Sequence, residues 1–501
     1  MKNSLTELKK RLLEISRLVS ILNLLNWDME VYMPPQGSDG RASEIAHLSG
    51  IIHSKIISLN KDKLLHKLKK AVNTKKLKGD DAVIVLETWR MFERENKLPE
   101  QFVKDMAETN SKAQRVWSEA RKKNDFKLFL PWLAKIVELK RKEAEYIGYL
   151  KSPYDALLDR YEPGMNSERV SQILGDLKDF LLPFIKKIKA SPIKINTKKL
   201  IGNFPLLEQV EFNKMLLRTI GFNLEAGRVD TSVHPFSLGL HPHDARITTR
   251  YDESNLFYSL SSLIHEAGHA LYEQGLPFEH FGTPLAQSVS LGIHESQSRM
   301  WEHFIGNSLS FWKYFYPKLQ KQFPVPFKSM SLKEFYRTVN KITPSLIRTE
   351  SDEVTYNLHI IIRYEIERGM IEGTIDLKDI PKIWKAKMKE YLGVDVPNDS
   401  MGALQDVHWS GGDIGYFPTY TLGNLYAAQF FATMKNDIPD MDKKIAKGSF
   451  KEINTWLRKH IHSHGKRYKA EDLVKRVTGE EITSSYFIKY LEYKYKDIYS
   501  F

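Results

Sequence analysis

The 501-residue chain has a formal net charge of +13, with 75 Lys and Arg against 62 Asp and Glu, and it contains no cysteine. The absence of cysteine excludes disulfide bonds, thiolate nucleophiles and cysteine-ligated zinc. Basic residues are interspersed with acidic ones and no nucleic-acid motif is present, so we expect a solvated surface and no nucleic-acid partner. Without a signal peptide or a membrane-spanning run, the sequence predicts a cytoplasmic protein that does not enter membranes.

Helical periodicity dominates the chain. A capping box at Ser4 and Glu7 predicts a helix that runs to about residue 26, and proline in the first turn predicts helices over 99–123 and 131–149. Residues 246–251, alternating and β-branched, predict the clearest strand. The basic patch 458–467 is expected to be a solvent-facing turn. No linker or repeat is visible, so we expect a single unit that is mainly α-helical with a small β element.

The most informative motif is His-Glu-Ala-Gly-His at residues 265–269. Residues one helical turn apart share a face, so both imidazoles can reach one metal ion with a carboxylate beside them. Asp252 is expected to cap this helix, and Gly275 followed by Pro277 to end it. The alternative is a buried helix whose histidines bond to core neighbours. The pattern and its context favour a zinc site with His265 and His269 as ligands and Glu266 as the base.

Catalytic zinc uses three protein ligands, so a third must lie elsewhere. A longer form of the motif has a third histidine six residues beyond the second, but the third and sixth positions after His269 are Tyr272 and Gly275, which excludes that class of metalloprotease. The remaining candidates are Glu273, Glu279, Glu295 and Glu302. Glu295 is the predicted ligand because it lies on a predicted following helix, which can run antiparallel to the first. Glu302 is interpreted as a structural charge or a partner of a ligating histidine.

Six segments, in this order, resemble the motifs of the carboxypeptidase Taq family of thermostable zinc metallocarboxypeptidases. They are His-Pro-Phe at 234–236, Asp-Ala-Arg-Ile-Thr at 244–248, the metal motif, His-Glu-Ser-Gln at 294–297, Ile-Arg-Thr-Glu-Ser-Asp at 347–352 and Gly-Ala-Leu-Gln-Asp-Val-His-Trp at 402–409. Similarity at 26–34 and 154–164 extends the resemblance over essentially the whole chain. One departure is Ser351, where the family usually has alanine. The resemblance implies a multi-helix, neurolysin-like fold with a deep active-site cleft, one catalytic unit over residues 1–501, and a homodimer.

Similarity to related metallopeptidases also implies groups that stabilise the tetrahedral oxyanion. These are His408 and Tyr420, with Tyr416 as the rival tyrosine. Their segment is rich in glycine, which can bring backbone close to a substrate. For either tyrosine, the alternative is a hydroxyl satisfied in the core.

A carboxypeptidase must bind a free α-carboxylate, and a guanidinium can do so through two hydrogen bonds. Arg348, expected on a helix, is the first choice and Arg246 the second. The alternative for Arg348 is an ion pair with Glu350, Asp352 or Glu353. His234 and Thr248 are further predicted substrate-binding residues. The strand at 244–248 could pair with an extended peptide by β-augmentation.

These observations predict a zinc-dependent carboxypeptidase that releases C-terminal residues. The resemblance implies broad specificity, poor cleavage at proline, and activity with cobalt as well as zinc. A second hypothesis is a related zinc oligopeptidase that cuts short peptides internally. A third, from another class, is a non-catalytic basic binding protein with a structural zinc.

Overall fold

The computed structural model describes all 501 residues and is 70% helical, with 21 α-helices and one small sheet, so the predicted mainly α fold is confirmed. None of its helices is both long and apolar enough to cross a membrane. In chain order the helices are α1 (Lys2–Val31), α2 (Ser38–Ser58), α3 (Leu64–Asn73), α4 (Gly79–Lys97), α5 (Glu100–Lys123), α6 (Phe126–Ile147), α7 (Pro153–Leu158), α8 (Ser167–Ala190), α9 (Leu206–Ile220), α10 (Leu256–Glu273), α11 (Leu291–Arg299), α12 (Leu309–Gln322), α13 (Pro324–Phe327), α14 (Leu332–Val339), α15 (Tyr356–Glu372), α16 (Ile380–Leu392), α17 (Pro418–Asp437), α18 (Met441–Ile445), α19 (Lys451–His460), α20 (Ala470–Thr478) and α21 (Ser485–Tyr499).

Two predicted helix starts are wrong. Helix α1 begins at Lys2, so Ser4 lies inside the helix and does not cap it. Helix α6 begins at Phe126, where the Asp125 side chain accepts a hydrogen bond from the Lys127 amide, and Pro131 lies one turn further in. Proline has no amide hydrogen, so Pro131 cannot donate to the Lys127 carbonyl and the helix lacks this one hydrogen bond.

The sheet consists of β1 (Gly227–Thr231), β2 (Ser237–His241) and β3 (Asp244–Thr249), in the order β1-β3-β2. Strand β3 is parallel to β1 and antiparallel to β2. A strand is therefore present where one was predicted, but it covers Asp244–Thr249 in place of residues 246–251, and both of its edges are occupied. A peptide cannot pair with β3 by β-augmentation, which requires a free edge.

The chain divides into two compact units. The first comprises Met1–Asn96, Asn196–Val339 and Ala427–Glu481, and the second Lys97–Ile195, Asn340–Tyr426 and Ile482–Phe501. The first unit contains the sheet, with α10 packed against β3 and against α11. The predicted single catalytic unit over residues 1–501 is not tested by this division and stays a prediction.

Candidate active site

The His-Glu-Ala-Gly-His motif lies on α10, as predicted, but the cap of this helix differs from the expectation. Asn255 is the N-cap, and its side chain accepts from the Phe257 amide. Asp252 instead accepts from the amide and hydroxyl of Ser254 in the preceding turn. The helix ends at Glu273, before Gly275, as expected. Its apolar residues, including Leu263, are buried and fix which face carries the motif.

Gly268, inside the motif, allows α11 to approach α10 closely. A Cβ atom at this position would lie 2.6 Å from both the Gln297 carbonyl oxygen and the Ser298 Cα. Backbone cannot yield as a flexible side chain can, so any larger residue would displace α11. This contact places Glu295, one turn earlier on α11, beside the two histidines.

The three predicted ligands converge. Glu295 Oε2 lies 3.3 Å from His269 Nε2 and 3.7 Å from His265 Nε2. One potential ligand atom from each of the three side chains lies within 4.8 Å of the others. Two imidazole nitrogens and one carboxylate oxygen form a donor set that suits zinc. These residues therefore fit a metal ion of this kind.

The charges around the ligands favour a cation. Burial opposes the protonated form of His265, but the carboxylates of Glu295 and Glu302 outweigh it and raise the pKa of His265 to about 9. Burial and the neighbouring His294 lower the pKa of His269 to about 3. Burial raises the pKa of Glu266 to about 7. The acids that favour a proton on His265 equally favour a metal ion, which competes for the same nitrogen.

Glu302 lies outside the converging group and contacts one of its histidines. Its Oε2 is 2.7 Å from His265 Nδ1, which leaves Nε2 of that ring for a metal. Arg299 links both acids: Nε donates to Glu295 Oε1 (2.7 Å) and Nη1 to Glu302 Oε2 (3.1 Å). Against burial, Arg299 and the histidines hold the pKa of Glu295 well below its usual range.

The other two candidate glutamates lie elsewhere. Glu273, at the end of α10, pairs with His294, and Glu279 is exposed in a short turn at Phe278–His280. Neither belongs to the group of side chains that could hold the metal.

In the second unit, Arg348 lies in a short 3-10 turn, Arg348–Glu350, and not on the predicted helix. Its Nε and Nη2 donate to Asp406 Oδ1 (3.0 and 2.8 Å), and its Nη1 donates to the Tyr356 hydroxyl (3.1 Å). The alternative ion pairs with acids at 350–353 are therefore wrong. Arg363 shares the same acid through Nε and Asp406 Oδ2 (2.6 Å). Arg348, Arg363 and Asp406 are termed the guanidinium cluster below.

His408 lies beside this cluster in the second unit. Its Nδ1 is 4.0 Å from Asp406, and its Nε2 is 3.3 Å from the Tyr420 hydroxyl. Burial lowers the pKa of His408 to about 4, against the attraction of Asp406. The ring is therefore neutral at pH 7. Tyr416 contacts the Tyr420 ring at 5.2 Å and also packs against Tyr161.

The segment that carries His408 is anchored by the buried carboxyl group of Glu367. Its Oε1 accepts from Trp409 Nε1 (2.9 Å), and its Oε2 accepts from the Tyr154 hydroxyl (2.9 Å) and the Gly415 amide (3.2 Å). Burial raises the pKa of Glu367 to about 8. One side chain thus holds both sides of the glycine-rich turn.

The remaining predicted substrate residues lie in the first unit around β3. Arg246 forms a paired ion bridge with Asp244 (2.9 and 3.0 Å) and lies 4.4 Å over the Trp27 ring. His234 is exposed. Thr248 is fully buried, and its hydroxyl contacts Ser232 Oγ (2.6 Å) and accepts from the Phe236 amide (2.9 Å). The Thr248 side chain therefore orders the loop that carries His234.

Several residues with clear structural roles were not predicted. Gly268 was only a variable position of the motif, and Arg299 lies outside it. His462, in the basic patch expected to face solvent, is buried with Nε2 2.9 Å from Gln297 Oε1. The sequence does not predict this burial, because the neighbours of His462 are charged and one buried ring within a polar turn produces no hydrophobic periodicity.

A helix that presents two histidines and a glutamate, with a second glutamate from the next helix, is typical of metal-dependent peptidases. A family model described as carboxypeptidase Taq (M32) metallopeptidase matches residues 7–495. The chain therefore belongs to the carboxypeptidase Taq family and is a metallocarboxypeptidase, which favours the main interpretation over the oligopeptidase and the non-catalytic alternatives.

Relatives and solved structures agree with this assignment. Carboxypeptidase 1 of Bacillus subtilis is 41% identical, over 98% of this chain and 97% of its own. Thermostable carboxypeptidase 1 of Thermus thermophilus is 40% identical, over 97% of each. The crystal structure of an M32 carboxypeptidase from Deinococcus radiodurans has a TM-score of 0.95 and 35% identity, covering 100% of both chains.

Proposed function

We propose that His265, His269 and Glu295 hold a single zinc ion, for which cobalt can substitute. The observation that carries this proposal is the convergence of three ligand atoms within 4.8 Å. Three protein ligands leave a further position for the reaction, as catalytic zinc sites require. When bound, the ion supplies Lewis-acid chemistry: it polarises a carbonyl group and makes water a stronger acid.

Glu266 is the proposed general base. Its carboxyl group is next to a proposed ligand on the same helix, and burial raises its pKa to about 7. A general base is most effective when its pKa lies near the pH at which the enzyme works. Glu266 takes a proton from the attacking water and returns it to the leaving amine. The scissile peptide bond thereby yields a free amino acid and a shortened peptide.

His408 and Tyr420 are the proposed donors to the oxyanion. A neutral imidazole and a phenol can each donate one hydrogen bond without bringing a full charge. Tyr420 is preferred to Tyr416 because its hydroxyl lies 3.3 Å from His408 Nε2, so the two donors are adjacent.

Arg348 is the proposed group that binds the free carboxylate of the substrate. Two guanidinium groups in its cluster share one carboxylate, so the cluster carries excess positive charge. Arg246 is the second choice, because its charge is already neutralised by an ion pair with Asp244. We propose that His234 contacts the substrate and that buried Thr248 contributes indirectly, by holding the loop that carries His234.

We further propose a cytoplasmic homodimer with broad side-chain tolerance and poor cleavage at proline.

The experiment that tests carboxylate recognition by Arg348 compares an N-blocked dipeptide that has a free C-terminus with its C-terminal amide. The free acid should be cleaved better by roughly 30-fold to several thousand-fold, since an unmatched buried charge costs about 2–5 kcal/mol. Equal cleavage of acid and amide, or cuts within a peptide blocked at both ends, would contradict the proposal.

A further inference from the structure

The rings of the two proposed histidine ligands are held in different ways. His265 Nδ1 contacts a Glu302 carboxylate oxygen at 2.7 Å, the usual arrangement for a metal-binding histidine. His269 Nδ1 is also buried but has no hydrogen-bond partner. Some other contact must therefore fix the plane of the His269 ring.

The contact in question is a stacked ring. His294 lies against His269 with ring centroids 4.5 Å apart and an angle of 22° between the planes. His294 Nε2 donates to Glu273 Oε1 (2.8 Å), one turn beyond His269 on α10. His294 is thus fixed from one side by its hydrogen bond, and its face is presented to the ligand.

Glu273 is in turn confined by the sheet. A Cβ atom at Gly239 in β2 would lie 2.3 Å from Glu273 Oε2, so the absence of a side chain at Gly239 leaves room for the Glu273 carboxylate in its present position. The contacts run from β2 to Glu273, to His294 and to His269, and all four lie in the first unit.

We propose that His294, held by Glu273, is a positioning residue for the metal ligand His269, and that ring stacking replaces the missing hydrogen bond. A free imidazole can rotate its lone pair away from the metal, whereas a stacked ring keeps the nitrogen directed at the other two ligands. His294 is not itself a ligand, because its Nε2 is engaged by Glu273 and it lies outside the converging group. The inference rests on the metal site proposed above.

The test compares His294→Ala with His294→Phe in the full-length protein. The zinc dissociation constant is measured by competition with a chelating dye, and the cobalt-substituted proteins are compared by visible absorption. His294→Ala should weaken zinc binding by roughly 10–100-fold and alter the cobalt bands. His294→Phe, which keeps a planar ring but loses the hydrogen bond to Glu273, should weaken it only severalfold, less than His294→Ala does.

Two results would overturn the inference. One is zinc binding by His294→Ala that equals the unmutated protein. The other is a loss in His294→Phe as large as in His294→Ala, which would assign the role to the nitrogen atoms. If the alanine variant does not fold, Glu273→Ala serves instead and should weaken zinc binding severalfold, while Glu273→Gln, which keeps an acceptor for His294, should not; equal affinities in these two variants would also overturn it.

His243→Ala is the matched control, because the exposed His243 ring also stacks on a neighbour, Phe278 (4.6 Å, 6°), in the same unit. It should leave zinc affinity unchanged. An unmutated protein that binds no zinc would contradict the proposed metal site itself, whereas tight binding by every variant would contradict only the role of His294.

Discussion

The metal centre and the guanidinium cluster are built with opposite charge. Around the metal centre lie the carboxyl groups of Glu266, Glu295 and Glu302, and one guanidinium group, that of Arg299, pairs with the last two. In the guanidinium cluster, two guanidinium groups share the single carboxylate of Asp406.

The guanidinium cluster carries excess positive charge. The carboxylates of the metal centre outnumber Arg299 and raise the pKa of His265 to about 9, so a proton on His265 supplies the positive charge that a metal ion would otherwise bring. Buried charges without partners are costly, so an excess that persists in a folded protein favours a ligand of opposite charge. The excess of acid suits a divalent cation, and the excess of guanidinium suits a carboxylate. This difference supports a metal in the first unit and an anionic substrate group in the second.

The largest expected effect tests the acidic region. Glu295→Ala should weaken zinc binding on the order of 10³-fold and abolish turnover, because two histidines alone hold zinc poorly. Metal content after dialysis and hydrolysis of a free dipeptide measure the two effects. Glu302→Ala should weaken binding only roughly 10–100-fold, as expected of a group that orients a ligand. If Glu302→Ala empties the site and Glu295→Ala does not, the assigned third ligand is wrong.

Glu266→Gln separates metal binding from proton transfer. The variant should keep its zinc, since all three ligands remain, and lose roughly 10²–10⁴-fold in kcat. Steady-state kinetics and metal analysis of the same preparation measure both. Glu279→Gln, at an exposed turn, is the control and should retain normal kcat. Normal turnover by metal-replete Glu266→Gln would remove Glu266 as the base.

Arg348→Ala tests the basic region. It should lower kcat/KM for the free acid by roughly 10²-fold and leave the slow cleavage of the amide nearly unchanged, because only the acid has the charge that Arg348 binds. Zinc content should stay normal. Arg246→Ala should reduce the preference for the acid less, since Asp244 already neutralises Arg246. A larger loss of acid preference in Arg246→Ala would exchange the two assignments.

The smallest expected effect concerns the anchor of the His408 segment. In Glu367→Gln the new NH₂ group replaces one of the two carboxylate oxygens. It then faces either Trp409 Nε1 or the Gly415 amide, and both of these only donate hydrogen bonds, so one buried N–H donor loses its acceptor. We expect kcat to fall about tenfold, equivalent to one unsatisfied buried donor, with zinc content unchanged. Glu365→Gln, on the same helix but bonded to Lys178 and Lys387, is the control. Equal kcat in both variants would show that Glu367 does not position this segment.

Much of the metal centre could be predicted from sequence because its geometry is local. Helical periodicity places His265 and His269 on one face with Glu266 beside it, and the next helix supplies Glu295. The helix starts were less predictable: Asn255 caps α10 in place of Asp252, since several polar residues near a helix start can each serve as the cap.

The sequence by itself therefore determined the mainly helical fold, the metal motif and, through resemblance, the family. Only the tertiary structure decided that Arg348 pairs with Asp406, that β3 has no free edge, and that Gly268 is the point where α11 meets α10. These features depend on residues far apart in the chain, and the partner of a buried charge or the neighbour of a glycine follows from packing, which leaves no periodic pattern in the sequence.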